Sequence, residues 1–122
     1  MKLHLTTAEN NNLITGYGES YIEINKQRYA QNLIVMPQTI VVDWHAENVS
    51  ALNNEHFQEL IKLKPEVVLL GTGKTHVFLH PKNHQILTEH GIALECMTTA
   101  AACRTYNILM SEGRLVAAAL IL

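Results

Sequence analysis

The hydrophobic positions follow two rhythms. As far as Tyr29 they alternate loosely with polar ones: Tyr17, Tyr21, Ile22, Ile24 and Tyr29 stand among polar residues, with Gly16 and Gly18 between. Alternation predicts strands, and the polar middle of the stretch from Glu23 to Tyr29 predicts a hairpin. Leu33-Ile34-Val35-Met36 is a further short strand, stopped by Pro37. From Ile40 onward, unbroken apolar runs alternate with segments of helical period. Ile40 to Trp44, Val67 to Leu70, Ile92 to Met97 and Leu115 to Leu122 each read as a buried strand.

The helices between them carry their own start and stop signals. Asn53 is placed to cap a helix, with Leu52 before it and Phe57 at the fourth helical position as a hydrophobic staple. Phe57, Leu60, Ile61 and Lys64 share its face, and Pro65 stops it. Pro81 suits the first turn of a short helix, with Ile86 and Leu87 inward and Gly91 as its C-cap. Thr98 or Thr99 caps a last helix running to about Met110, and Gly113 turns the chain.

Strands apolar on both faces, alternating with helices, predict a sheet covered on both sides. The expected class is α/β: a three-layer domain with a central mixed, mostly parallel sheet flanked by helices, and an additional N-terminal β layer. The short joint from Ser111 to Arg114 leaves the direction of the last strand open. With 122 residues the chain reads as one domain, 1–122, because halves of it would be too small to fold without disulfides or metals. A hydrophobic share of 48% supplies a core.

Charge narrows the function classes. Nine Lys and Arg against eleven Asp and Glu give a net charge of −2, which excludes the basic stripe of a dedicated nucleic-acid binder. The run from Val116 to Leu122 is too short to span a bilayer. The opening MKLHLTTAENNN has neither the apolar region of a signal peptide nor the Arg-rich pattern of a transit peptide. Two cysteines without a secretory signal read as reduced thiols, so the expected location is cytoplasmic.

Several motifs invite chemistry. Gly71-Thr72-Gly73-Lys74-Thr75 ends like a phosphate loop, but Val68 stands where the first glycine belongs, and no helix starts at the Lys-Thr. His76 likewise occupies the third glycine position of a dinucleotide fingerprint. The loop then reads as a tight strand exit, or as backbone lining a small pocket. Met97-Thr98-Thr99 opens a helix directly after a strand, where amide N–H groups and a partial positive charge hold anions, although such threonines also serve simply as caps. If the two strands are neighbours, Gly71, Thr72, Gly73, Met97, Thr98 and Thr99 form a crevice at their carboxyl ends, with Arg104 beside it.

In the last helix Arg104, Asn107 and Ser111 make one polar stripe on an otherwise apolar surface. The structural reading is a polar network of Glu95, Arg104, Asn107, Glu112 and Arg114, with Glu95 or Glu112 as the carboxylate for Arg104 and Asn107 tying down a backbone turn. The functional reading is recognition of a carboxylate or a partner chain by the Arg fork. His76, His80 and His84 recur every four residues, but Pro81 breaks any common helix, so no metal site is assigned. Cys96 and Cys103 lie in a buried strand and an alanine-rich helix without an adjacent histidine, which makes them inert thiols. No catalytic residue and no cofactor are assigned.

Three strings together carry a resemblance: Leu70-Gly71-Thr72-Gly73; Gly91-Ile92-Ala93-Leu94-Glu95-Cys96-Met97-Thr98-Thr99-Ala100-Ala101-Ala102-Cys103-Arg104-Thr105-Tyr106-Asn107-Ile108-Leu109; and Glu112-Gly113-Arg114-Leu115-Val116-Ala117-Ala118-Ala119-Leu120. In these the chain resembles a family of small domains of unknown function that includes a mitochondrial respiratory complex I assembly factor, an adipogenesis-associated protein and uncharacterised bacterial proteins. The resemblance extends upstream through the hairpin, Pro37 and Trp44. It implies the three-layer fold already expected and favours an antiparallel last strand. It carries over no catalytic residues, and without a transit-peptide pattern the chain looks like a bacterial relative.

Two functions remain open at this point. One is a protein-interaction or assembly-factor-like module without catalysis, whose partner is a protein. The other is a small-molecule or anion-binding domain, with enzymes among its options, using the crevice at Gly71–Gly73 and Thr98–Thr99.

Overall fold

The computed structural model describes residues 11–122. The opening segment, with His4 and the reading of its targeting signals, lies outside the described residues. The fold is mixed α/β, with two sheets and three α-helices among the described residues. Strands β1 (Ile14–Gly18), β2 (Tyr21–Ile24) and β3 (Gln27–Tyr29) form an antiparallel sheet in that order. Asn25 and Lys26, with φ of 51° and 72°, make the two-residue turn that the polar middle of the hairpin predicts.

The second sheet contains β4 (Leu33–Met36), β5 (Thr39–Val41), β6 (Val67–Gly71), β7 (Ala93–Met97) and β8 (Val116–Leu120), in the order β5-β4-β8-β6-β7. The sheet is mixed, as expected, but not mostly parallel: β6 pairs in parallel with β7 and β8, while β4 pairs antiparallel with β5 and β8. The last strand is thus antiparallel to the hairpin strand β4, the direction the resemblance favours, and parallel to β6 on its other side. The expected strand from Ile40 to Trp44 shortens to Thr39–Val41, and Trp44 is buried in the loop beyond it. Its indole, not a sheet register, anchors that loop, by packing with the other core residues and edge-on to His56.

Residue alternation in the three central strands builds two cores. Leu33, Val35, Val67, Leu69, Val116, Ala118 and Leu120 face one side. Ile34, Met36, Val68, Leu70, Ala117 and Ala119 face the other. Burial on both faces is why these runs show no polar alternation. On the first side lie helix α3 (Thr99–Ser111), through Ala102, Cys103, Tyr106 and Met110, and the small sheet, through Ile14, Ile22 and Ile24. The small sheet does not roof the helix, because Arg104 and Ile108 on the outer face of α3 remain exposed. On the second side lie α1 (Asn54–Lys62), through Phe57 and Leu60, and α2 (Gln85–Glu89), through Leu87.

The capping signals translate directly. Asn53 caps α1, accepting from the amides of Glu55 and His56, while the His56 ring accepts the Asn53 amide. Pro81 opens a turn of tight helix before α2. Gly91 is the residue after the cap, His90 being the cap itself, and its φ of 72° is the left-handed conformation that ends the helix.

The path from β6 through α2 to β7 moves outward along the sheet, and the path from β7 through α3 to β8 returns across β6. The two helices lie on opposite faces, as one crossover hand requires when the direction reverses. Three parallel strands therefore end together at Gly71, Met97 and Leu120, which lie in register.

Candidate functional site

The crevice forms where these strands end. Parallel pairing of β6 and β7 sets Gly71 opposite Met97 and brings the exit of β6 against the first turn of α3. Thr98 is the cap: it has extended backbone, and its hydroxyl accepts the Ala101 amide. Thr99, one residue further, is buried and holds the site together. Its amide donates to the Gly73 carbonyl at 3.0 Å, its hydroxyl oxygen accepts the Gly73 amide at 2.8 Å, and its hydroxyl donates to the carbonyl of Ile121. Thr72 repeats the pattern: its amide donates to the Met97 carbonyl, and its hydroxyl accepts the Val77 amide while reaching the carbonyls of Thr75 and Met97.

The structure thus brings Gly71, Thr72, Gly73, Met97, Thr98 and Thr99 together, and uses the amides of Thr72, Gly73 and Thr99 internally. The amides of Thr72, Gly73, Thr99, Ala101 and Ala102 all have carbonyl or hydroxyl partners within the crevice. An anion held by these particular amides would have to displace those bonds, and a buried amide left unpaired costs about 1–3 kcal/mol. The crevice is a clasp that closes the ends of three strands onto a helix.

Beside the clasp, toward the N-terminal sheet, lies a depression of about 300 Å³. Its floor includes Gly73, Thr99, Ala100 and Leu122, and its wall is the tip of the β1–β2 hairpin, Tyr17, Gly18 and Glu19. Lys74 reaches across from the β6 exit to Glu19, Nζ to Oε1 at 2.8 Å. That hydrogen bond and charge hold the Glu19 carboxyl below its ordinary range and the Lys74 ammonium above its own. The sequence gives no warning of Tyr17, Gly18, Glu19 or Leu122 at this place. The packing of the small sheet beside α3 brings the first three there, and Leu122 arrives just beyond the end of β8.

Arg104 stands at the rim. It is not paired with Glu95 or Glu112: its Nη1 donates to the Tyr17 hydroxyl at 2.9 Å. The five residues expected to form one polar network are in fact dispersed. Asn107 clamps the backbone of Ile14, accepting its amide at 3.0 Å and donating to its carbonyl at 2.8 Å. Arg114 pairs with Glu66 at 3.3 Å, a partner that sequence spacing does not suggest. Glu112 caps α3 through its own amide, and Glu95 is exposed on the edge strand β7. The reason is geometric: the small sheet occupies the space beside the Arg104–Asn107 stripe and supplies its partners.

Both cysteine thiols are shifted away from their reactive thiolate form. Burial pushes the Cys103 thiol up to about 12, against a smaller opposing pull from Arg104. Burial also raises Cys96, helped by Glu95 and opposed by the Leu79 amide. His76 contacts the Cys96 carbonyl, and His80 accepts the Lys82 amide at the start of its turn. Among the described residues no three His, Cys, Asp or Glu side chains are grouped to hold a metal ion, and no helix is long and apolar enough to cross a membrane.

Comparison with known proteins bears on the whole chain. Residues 14–121 match the model of a family described as protein of unknown function (DUF498/DUF598). NADH dehydrogenase (ubiquinone) 1 alpha subcomplex assembly factor 3 of Mus musculus is 36% identical over 110 residues, covering 88% of this chain and 59% of that protein. The chain therefore spans under two thirds of that relative. A crystal structure of a protein from Bordetella parapertussis is 38% identical with a TM-score of 0.85, covering 91% of this chain and 95% of that one. An Mth938-like domain of Bordetella pertussis is 32% identical with a TM-score of 0.79, covering 90% and 85%.

Proposed function

Because the chain belongs to the DUF498/DUF598 family, we propose that it is an assembly-factor-like module that acts by binding another protein and performs no catalysis. The observation that carries this reading is the clasp. A site for catalysis or anion capture needs free, preorganised donors aimed at the ligand, and here the amides of Gly73 and Thr99 are taken by each other's residue. Relatedness to the mouse assembly factor supports the same direction. Two free cysteines fit a reducing compartment such as the bacterial cytoplasm.

The test is a domain exchange. In cells lacking the mouse assembly factor, a chimaera of that factor carrying this chain in place of its matching segment should restore assembled complex I on native gels. A chimaera that accumulates folded in mitochondria yet restores nothing overturns the reading.

A further inference from the structure

The proposed interaction module needs a surface, and the chain's three arginines point to one. Arg28 lies 3.8 Å from Glu23, and Arg114 lies 3.3 Å from Glu66. Among the described residues, Arg104 is paired with the neutral hydroxyl of Tyr17 and with no carboxylate. A guanidinium carries five donors in a flat fork that matches a carboxylate, so Arg104 keeps its charge and most of its donors turned to the outside. This happens in a protein whose net charge is −2, where carboxylates are not scarce.

Its surroundings are apolar and shaped. Ala100, one turn before Arg104, floors the depression of about 300 Å³, and Tyr17, which holds Arg104, forms the wall of the same depression. Ile108, one turn after Arg104, is 58% exposed, while Ala102, Cys103, Tyr106 and Met110 of the same helix are buried. Ala100, Arg104 and Ile108 are spaced four apart and so form one outward stripe. The cation that lines the depression, Lys74, is paired with Glu19 at 2.8 Å. Among the described residues the surface thus offers an apolar recess, a guanidinium with no carboxylate partner and an apolar ridge, in that order along α3.

We infer that this stripe binds an acidic segment of a protein partner, in which a Glu or Asp engages Arg104 while flanking apolar side chains fill the recess beside Ala100 and cover Ile108. The inference rests on the interaction-module reading and names the partner chemistry for it. Charge complementarity selects the occupant. A carboxylate gives the fork charge-assisted bonds that the Tyr17 hydroxyl does not, and the apolar recess and ridge favour a peptide over a small free anion.

The experiment pans a phage-displayed library of random twelve-residue peptides against the intact chain and measures the enriched peptides by fluorescence anisotropy. Enriched sequences should carry Glu or Asp beside Leu, Ile or Phe. Their affinity should fall tenfold or more in Arg104→Met, and by a similar factor when the peptide acid is changed to its amide. The two changes together should lose no more than either alone. Arg104→Lys should recover part of the loss, and Ala100→Trp should abolish binding by filling the recess. Circular dichroism confirms that each variant folds. Three outcomes overturn the inference: no enrichment over an Ala100→Trp counter-selection, binders indifferent to Arg104→Met, or free N-acetylglutamate binding as tightly as the peptides. If the domain exchange succeeds with wild type and equally with Arg104→Met, the surface is wrong while the module reading stands. If wild type fails there, the module reading itself falls.

Discussion

The Cα of Thr99 stands where a side chain on Gly71 would have to go: a Cβ at residue 71 would lie 3.0 Å from both Cα and Oγ1 of Thr99 and 3.1 Å from a methyl of Leu120. A side chain at residue 71 would press on the first turn of α3 and on Leu120, which would have to shift to make room for it. Gly71→Ala should destabilise the chain by about 1–3 kcal/mol, the usual cost of overpacking a closed site. Gly73 is constrained differently, with a φ of 101° and no atom within 4 Å of its missing Cβ. Its replacement by Ala should cost about 1–2 kcal/mol through backbone strain alone. Urea unfolding separates the two causes: the cost at Gly71 should grow from Ala to Leu, and the cost at Gly73 should not.

Asn107 holds the small sheet to α3 by hydrogen bonds to the backbone N–H and C=O of Ile14. Asn107→Ala removes the partner of both groups and should cost about 1–3 kcal/mol. Asn107→Asp keeps the acceptor for the Ile14 amide and removes the donor to its carbonyl. Hydrogen exchange at the Ile14 amide distinguishes the variants, with protection lost in Asn107→Ala and largely kept in Asn107→Asp. Unchanged protection in Asn107→Ala would show that β1 is held by its pairing with β2 alone.

What was legible in the sequence was the local physics. Asn53, Pro81, Gly91 and Thr98 announce helix ends because capping is settled within a few residues of chain. Val67 to Leu70 announces a central strand because burial on both faces leaves no polar position. Direction and partners were not legible. Nothing near Val116 tells whether β8 lies beside β4 or β6, and it pairs with both. The crevice residues were found from strand exits, yet its character came from long-range bonds, Thr99 to Gly73 and to Ile121, that no spacing encodes. Arg104 was expected to take a carboxylate near it in sequence or along the sheet, and takes Tyr17, which is 87 residues away.

The Thr99 hydroxyl both accepts from Gly73 and donates to Ile121, so its loss leaves two backbone groups without their partner. Thr99→Val keeps the shape and deletes the oxygen, and should cost about 1–3 kcal/mol, most of it from the unpaired groups. Thr99→Ser keeps the oxygen and should cost less than half as much. Equal losses in thermal or urea unfolding would assign the role of Thr99 to its methyl packing and remove the hydroxyl from the account.

Alkaline pH should weaken the fold through α3. The Cys103 thiol is raised from its ordinary 9.0 to about 12 by burial, and burial raises the Tyr106 phenol above its ordinary 10.0. A raised acid holds its proton longer in the folded chain than in the unfolded one. Its contribution is therefore intact below the unfolded value and is lost as pH climbs from there through the folded value. For Cys103 the loss begins near pH 9 and ends near 12, at up to about 1.4 kcal/mol per pH unit. Half-buried Cys96 adds a smaller loss from the same starting point, and Tyr106 joins above pH 10. The urea midpoint should accordingly hold steady from pH 7 to 8.5, decline by pH 10 and decline more steeply by pH 11. Cys103→Ala should be less stable at pH 7 yet show a shallower decline between pH 9 and 10, where Tyr106 does not yet contribute. A wild-type midpoint that stays flat to pH 11 would mean that the thiol reaches solvent without unfolding, and labelling of Cys103 by a thiol reagent at pH 8 would then be fast instead of limited by opening of the core.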